Sequence, residues 1–318
     1  MDDELYSLQK AKPVTRTGSE KPQPSAGTGQ WREGGRKQRG NEERQVKVLQ
    51  INLHRSGAAA ANLAALIAEE AAIIVLVQEP PTIANKVYGK PPNTEIHVEP
   101  PGKARPRACI YTRGVDAWPM AGLTDRDLST IMVKSRGQDL IIASSYMAAE
   151  YMAPPTGVRK LVDYCENRQR PLIIGTDCNS HNTAWGSTDV NQRGEELLDY
   201  LLESSLMWAN HGTNPTFVTR TRAEVLDITV YNSMASGRIK DWKVEDNPTL
   251  SDHEAITFIL PQAEVVRRRY RPVKRTDWSK YQEILANQQK AGPPATLLTE
   301  QELEQETCKL EDEIIGAY

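Results

Sequence analysis

The chain has 318 residues, of which 39% are hydrophobic and 25% charged, and its formal net charge is -3 at pH 7. This size and composition allow one large or two ordinary globular domains, and the small net charge excludes a histone-like polycation. No run approaches the ~18 apolar residues of a membrane span and no signal peptide begins the chain, so we expect an intracellular protein without a membrane partner.

The chain begins with a segment, residues 1–44, that is rich in Gly, Pro, Ser and Lys/Arg and almost empty of aliphatic residues. Such a composition cannot bury enough apolar surface to fold, so we predict a disordered basic tail. From residue 45 the pattern changes to short β-branched runs that alternate with helical patterns. We therefore predict one layered α/β or α+β domain over residues 45–261.

Helices are predicted in this domain at residues 58–71, 157–168 and 192–204. Between them, the run at residues 73–77 is apolar at every position, which is typical of a strand covered on both faces. The later strands follow one another with only turns between them. At least half of the sheet is therefore expected to be antiparallel.

Polar residues interrupt these strands where each strand ends. The sequence shows this in "VLQIN", "IIVLVQE", "LIIASSY" and "PLIIGTDCN", which place Asn52, Glu79, Tyr146, Asp177 and Asn179 at strand ends. Each residue taken singly has an ordinary explanation as a turn former or a packed side chain. Their joint occurrence predicts a functional site, and the spacing of Asp177 and Asn179 places both on one face if the strand continues.

The stretch "FVTRTRAEVLDITV" predicts a hairpin whose turn carries Arg220 and Arg222 close to Asp227. A solvated turn explains each arginine alone, and proximity to Asp227 is what favours a contact with DNA. His181, which follows the Asp177 strand end, either stabilises its loop or reaches a phosphate.

The stretch "TLSDHEAITFIL" places Asp252 beside His253 at the start of an apolar run. Neighbouring side chains of a strand point to opposite faces, so the carboxylate partner of His253 must come from elsewhere. Asp227 lies in an apolar strand, and a buried carboxylate is costly unless it is paired. We therefore predict that Asp227 pairs with His253 from an adjacent strand, which leaves Asp252 to join the other carboxylates.

After this domain, residues 262–318 contain the basic run "RRRYRPVKR" and two polar helical patterns. The basic run is explained equally well by a charged linker and by a nuclear-import or nucleic-acid patch. We predict a basic linker followed by polar helices.

The chemistry of the predicted site follows from its donor atoms. A set of hard oxygen ligands suits Mg²⁺, or Mn²⁺, and Glu79 is the first choice of ligand with Asp252 as a second. Amide, phenol and imidazolium groups suit an anionic substrate, as in phosphoester hydrolysis. Neither a GxSxG elbow nor a GxxxxGK[ST] phosphate loop occurs in the sequence.

Six segments in this order, "QINLH", "LVQEP", "SSYM", "GTDCNSHNTAWGS", "VLDITV" and "LSDHEAI", resemble the exonuclease-endonuclease-phosphatase superfamily. "GTDCNSHNTAWGS" followed by "NPTFVTR" is similar to the apurinic-like endonuclease domain of insect non-LTR retrotransposons of the R1, LOA and jockey types. The resemblance covers residues 45–261. It implies an α/β two-sheet sandwich flanked by helices, the DNase I-like fold, with the active site at one end of the sheets.

The resemblance also implies a role for each residue of the site. Asp177 and His253 would activate water, and Asp227 would orient His253. Asn52 and Asn179 would position phosphate or a metal-bound water, Tyr146 would contact phosphate, and Mg²⁺ would lie near Glu79.

The activity implied is a nick in double-stranded DNA that leaves a 3′-hydroxyl to prime reverse transcription. Element RNA and a reverse transcriptase region would then be partners, and the protein would act in the nucleus after cytoplasmic synthesis. No YxDD polymerase motif occurs, which is typical of a piece that precedes a missing reverse transcriptase.

One position departs from the superfamily. His54 stands where repair enzymes carry an acidic residue, which disfavours a second metal site and a repair role. Two other functions stay open: a phosphoester phosphatase of the same fold, and a catalytically decayed domain that only binds nucleic acid.

Overall fold

The framework of the fold is a pair of six-stranded sheets. The computed structural model describes residues 45–261, except for 101, 103 and 205, and also describes residues 263, 279 and 282. The predicted tail and nearly all of the predicted C-terminal region lie outside the described residues. The described strands, in chain order, are β1 (Gln45–Asn52), β2 (Ile73–Gln78), β3 (Thr82–Ile83), β4 (Lys86–Val87), β5 (Glu95–His97), β6 (Ala108–Arg113), β7 (Ala117–Pro119), β8 (Leu128–Ser135), β9 (Gln138–Tyr146), β10 (Leu172–Asp177), β11 (Leu206–Trp208), β12 (Phe217–Val218), β13 (Ala223–Glu224), β14 (Asp227–Asn232), β15 (Lys240–Val244) and β16 (Ile256–Pro261).

The strand order is β15-β16-β1-β2-β6-β5 in the first sheet and β11-β14-β10-β9-β8-β7 in the second. β1 and β2 are parallel, as are β9 and β10, and the other described pairs of these sheets are antiparallel. Hairpins β3-β4 and β12-β13 stand apart from both sheets. The prediction that at least half of the sheet is antiparallel is confirmed.

The helices lie outside the two sheets. They are α1 (Gly57–Leu66), α2 (Thr156–Asn167) and α3 (Gln192–Glu203), with short 3₁₀ helices at Ala121–Leu123, Thr183–Trp185 and Ser233–Ala235. One apolar core, which includes Val48, Ile142 and Phe258, fills the space between the sheets. A second core joins the second sheet to α2 and α3, and a third joins the first sheet to α1. The predicted two-sheet sandwich flanked by helices is therefore confirmed.

Helix α1 is shorter than the sequence pattern predicts. The pattern extends to residue 71, but the helix ends at Leu66. After the helix, Arg113 Nη1 donates to the carbonyl oxygens of the C-cap residue Ile67 and of Glu70 in the following turn. The bond to Ile67 takes up a carbonyl group that the helix end leaves without a partner. No described helix is long and apolar enough to cross a membrane.

The strand directions give the sandwich two distinct ends. β1, β2, β9 and β10 all run towards the end where Asn52, Tyr146 and Asp177 lie, which we call the site end. The opposite end, near Ser135, we call the far end. There, the Ser135 hydroxyl donates to the Pro261 carbonyl of the other sheet.

Polar side chains replace the apolar core between the sheets close to the site end. Gln50 Nε2, from β1, donates to the Thr176 and Ile228 carbonyls of the second sheet at 3.2 and 3.3 Å. Gly175 makes room for this contact, since a Cβ atom there would lie 2.6 Å from Gln50 Oε1. The hydrogen bonds of Gln50 thus fix how the strands that end in the site sit against each other.

Candidate active site

Asn52 and Asp177 form the centre of the site, where the two sheets meet. Asn52 Nδ2, at the end of β1, donates to Asp177 Oδ2, at the end of β10, at 2.8 Å. The two residues are 1% and 2% exposed. Because they belong to different sheets, this hydrogen bond brings the predicted strand-end residues together across the sandwich.

Asp227 and His253 form the second contact between the sheets. His253 Nδ1 lies 2.7 Å from Asp227 Oδ2, and both side chains are buried. The predicted pairing is confirmed, but its expected geometry is wrong. Asp227 begins β14 of the second sheet, and His253 precedes β16 of the first, so the partners face each other from two packed sheets rather than from adjacent strands.

Asp177 and Asp227 are neighbours in the register of β10 and β14. Asp227 Oδ1 is buried and has no hydrogen-bond partner among the described residues. One ligand atom each from Asp177, Asp227 and His253 lies within 4.8 Å of the others. Two buried carboxylates thus lie beside one buried imidazole, which is hydrogen-bonded to Asp227.

Burial sets the protonation of these groups. Burial raises the pKa of Asp177 to about 7, and the charge of Asp227 acts in the same direction. Burial acts to lower the pKa of His253, but the charge and hydrogen bond of Asp227 outweigh it and raise that pKa to about 9. At neutral pH the imidazole is therefore protonated, while the Asp177 carboxyl titrates in the range where a general base is useful.

Tyr146 lies at the edge of this group. Burial, together with the charges of Glu79 and Asp177, raises the pKa of its phenol to about 12. The phenol is therefore neutral at physiological pH and can donate a hydrogen bond to an anionic substrate.

Asn179 does not reach the site by the predicted route. β10 ends at Asp177, and Asn179 has a φ of 46°, so the strand does not continue through it. Instead, the Asn179 backbone N–H donates to Asp177 Oδ1 at 3.1 Å, and its Nδ2 donates to the Met147 carbonyl. The expectation of one shared strand face is wrong, because a turn stabilised by the Asp177 carboxylate holds Asn179 beside it.

Glu79 follows β2, and its side chain is 9% exposed. Its carboxylate forms an ion pair with the Arg55 guanidinium, which sequence reasoning missed. The Asp252 carboxylate contacts His54 Nδ1 at 2.7 Å. Asp252 and His253 thus have different partners. Among the described residues, neither Glu79 nor Asp252 belongs to a cluster of three metal-ligating groups.

The β12-β13 hairpin is joined to the segment that carries His253. Phe217 bridges to His253, their ring centroids are 5.0 Å apart, and the Val218 N–H donates to the Asp252 carbonyl at 2.8 Å. The predicted hairpin is confirmed, and it places Arg220 and Arg222 in and beside an exposed turn.

His181 lies against this hairpin. Its Nδ1 lies 2.6 Å from Asp189 Oδ1, and Arg222 Nη2 lies 2.7 Å from its Nε2. Glu224 is 3.8 Å from the imidazole and 3.9 Å from the Arg222 guanidinium. His181 therefore holds Arg222 in place, while both of the predicted DNA contacts, Arg220 and Arg222, are exposed.

Two further residues of the site had no visible signal in the sequence. Arg107 and Asp127 each lie just before a strand, a position where charged residues are typical of an ordinary loop. In the folded chain, Arg107 is 5% exposed and its guanidinium pairs with Asp127. Only the packing of the sheets reveals this pair.

The chain is similar to known proteins in sequence and in fold. Residues 140–257 match a family model described as Endonuclease-reverse transcriptase. The endonuclease domain of TRAS1, a telomere-specific non-LTR retrotransposon, is similar in structure with a TM-score of 0.57 and 25% sequence identity, over 71% of this chain and 100% of that one. The AP endonuclease LMAP from Leishmania major shares the fold, with a TM-score of 0.54 and 12% identity over 69% of this chain and 88% of that one. No curated protein sequence matches the chain.

Proposed function

We propose that this chain is a metal-dependent endonuclease of the exonuclease-endonuclease-phosphatase superfamily, and that it nicks one strand of double-stranded DNA and leaves a 3′-hydroxyl. In a retrotransposon that hydroxyl would prime reverse transcription. The observation that carries the proposal is the buried chain of contacts Asn52–Asp177 and Asp227–His253, which joins the two sheets at one end of the sandwich.

The donor atoms of the site fit Mg²⁺, with Mn²⁺ as the second choice. Carboxylate oxygens predominate, and burial with a neighbouring charge has raised the pKa of Asp177, so a cation would relieve an excess of negative charge. Glu79, which here pairs with Arg55, and Asp252 would hold the ion. Bound there, Mg²⁺ would supply charge neutralisation to the phosphate oxygens and would acidify water.

The side chains of the chain itself then have distinct tasks. Asp177 Oδ1 and Oδ2 are the atoms that would take the proton of the attacking water, since the pKa of this carboxyl lies near neutrality. The imidazolium of His253, oriented by Asp227, would stabilise negative charge on the phosphate. Tyr146 would donate its O–H to a phosphate oxygen, and Asn52 and Asn179 would fix the positions of Asp177 and the phosphate.

DNA would be contacted beside these groups by the β12-β13 hairpin. Arg220 and Arg222 supply positive charge there, and His181 with Glu224 orients Arg222. Such contacts with phosphate position the duplex without reading its sequence. In the same proposal the element RNA and a reverse transcriptase region are partners, and the protein acts in the nucleus.

A plasmid nicking assay tests the activity. With Mg²⁺, the chain should convert supercoiled plasmid to the open circle, and His253→Ala and Asp177→Ala should each lower the rate by ~10²- to 10⁴-fold, as loss of a proton-transfer group does. A DNA polymerase should extend the nick without prior phosphatase treatment, because the end is a 3′-hydroxyl. Binding of the plasmid without cleavage, or unchanged rates in both variants, would contradict the proposal.

A further inference from the structure

Arg107 and Asp127 join the two sheets on the side of the site that holds Glu79 and Tyr146. Glu79 follows β2 of the first sheet and Tyr146 ends β9 of the second. The Glu79 backbone N–H donates to the Arg107 carbonyl at 2.8 Å, and the Tyr146 backbone N–H donates to the Asp127 carbonyl at 2.8 Å. One residue of the first sheet and one of the second thus hold the main chain of these two site residues.

The side chains of the two holding residues bind each other. Arg107 Nε lies 2.5 Å from Asp127 Oδ1, and Arg107 Nη2 lies 2.6 Å from Asp127 Oδ2. Glu150 adds a third contact at 3.2 Å. A two-point pair of this kind fixes the plane of the guanidinium as well as its position.

The fixed guanidinium lies on the face of the Tyr146 ring. Its Cζ atom is 4.9 Å from the ring centroid, within the range of a cation–π contact. The charges of Glu79 and Asp177 act to raise the pKa of the phenol, and the charges of Arg107 and Arg55 act to lower it. Arg107 therefore limits the orientations open to the ring and balances part of the negative charge around it.

We infer that Arg107, locked by Asp127, is a positioning residue that orients the Tyr146 phenol towards the scissile phosphate. This inference rests on the proposed nuclease function. Arg107 touches neither of the buried pairs Asn52–Asp177 and Asp227–His253 among the described contacts, so it acts on the reaction through Tyr146. Loss of fixed orientation at a reacting group is costly, even where the group itself remains.

Arg238 offers a matched control. It is also 5% exposed and also joins the sheets, but at the far end, where it donates to the Ser135 carbonyl and the Gln138 side chain. Arg107→Met and Arg238→Met each remove a buried guanidinium and keep an unbranched stem of similar length. A general loss of folding would therefore affect both variants.

The test is a double-mutant cycle with Tyr146→Phe, measured as kcat and KM for plasmid nicking by the full chain. Arg107→Met should lower kcat by ~10-fold or more with little change in KM, Arg107→Lys should recover part of that loss, and Arg238→Met should leave kcat unchanged. In the Tyr146→Phe background, Arg107→Met should cost less than ~2-fold, because the group it positions is gone. Equal losses in both backgrounds would overturn the inference.

A spectroscopic measurement separates this inference from the nuclease proposal. The ¹³Cζ resonance of Tyr146, assigned by its absence in Tyr146→Phe, should shift in Arg107→Met and in Asp127→Asn but not in Arg238→Met. An unshifted resonance in the first two variants would refute the positioning role. If the resonance shifts in those two variants but the unmodified chain does not nick DNA, the nuclease function alone would be refuted.

Discussion

At each end of the sandwich, a buried arginine joins the two sheets. The partner of one arginine is charged, whereas the partners of the other are neutral. Arg107 at the site end binds the Asp127 carboxylate, whereas Arg238 at the far end binds the Ser135 carbonyl and the Gln138 side chain. Hydrogen bonds to Asp127 raise the pKa of Arg107, while burial lowers the pKa of Arg238.

The two ends therefore hold different buried charges. At the far end, Arg238 contacts neutral groups, and burial together with the charge of Arg136 lowers its pKa. At the site end, Asp177 and Asp227 lie side by side in a buried space, and the pKa of Asp177 is raised to about 7 as a result. Buried, perturbed carboxylates of this kind are typical of sites that perform chemistry.

The strongest way to test this comparison is to neutralise one carboxylate of the site end. Asp177→Asn should lower the nicking rate by ~10²- to 10⁴-fold, because the proton acceptor is lost. The same change should raise the melting temperature at pH 8, since a desolvated charge beside Asp227 is removed. Nicking rates and thermal unfolding curves measure both effects, and a melting temperature that falls would contradict the expected electrostatic cost.

The pH dependence of stability should reveal the buried ion pair. The pKa of His253 in the folded chain is about 9, above the usual ~6.5, so its stabilisation is complete below pH 6.5 and is lost as the pH rises through 9. The expected loss across this window is on the order of 3 kcal/mol, and Asp227→Asn should abolish most of it.

Urea unfolding from pH 6 to pH 10 in EDTA measures this loss without any bound metal. The far-end variant Arg238→Met serves as a control, because it should keep the slope of the unmodified chain between pH 6.5 and 9. Equal slopes for the unmodified chain and Asp227→Asn would show that the ion pair does not stabilise the fold.

The smallest expected effect belongs to the far end. Arg238→Met should lower the free energy of unfolding by about 1–3 kcal/mol, since the buried Ser135 carbonyl and the Gln138 side chain lose a donor. The nicking rate per folded molecule should stay unchanged. A rate that fell with stability would mean that the two ends are not separable.

Much of this molecule follows from local sequence patterns. Fully apolar runs of β-branched residues predicted the central strands, because such runs are stable only where both faces are covered. The pairing of Asp227 with His253 was predictable for a similar reason: a carboxylate in an apolar strand requires a partner, and few candidates exist. The polar residues at strand ends marked the location of the site in the same way.

The packing of the two sheets decided the rest. It placed His253 opposite Asp227 from the other sheet, brought Arg55 to Glu79, and locked Arg107 onto Asp127 under the ring of Tyr146. No local pattern marks such residues, because the sequence around a loop arginine does not show whether folding will leave it exposed or bury it against a distant segment. Burial and the low dielectric around it arise only in the folded chain, and these are what turn ordinary charged residues into a site.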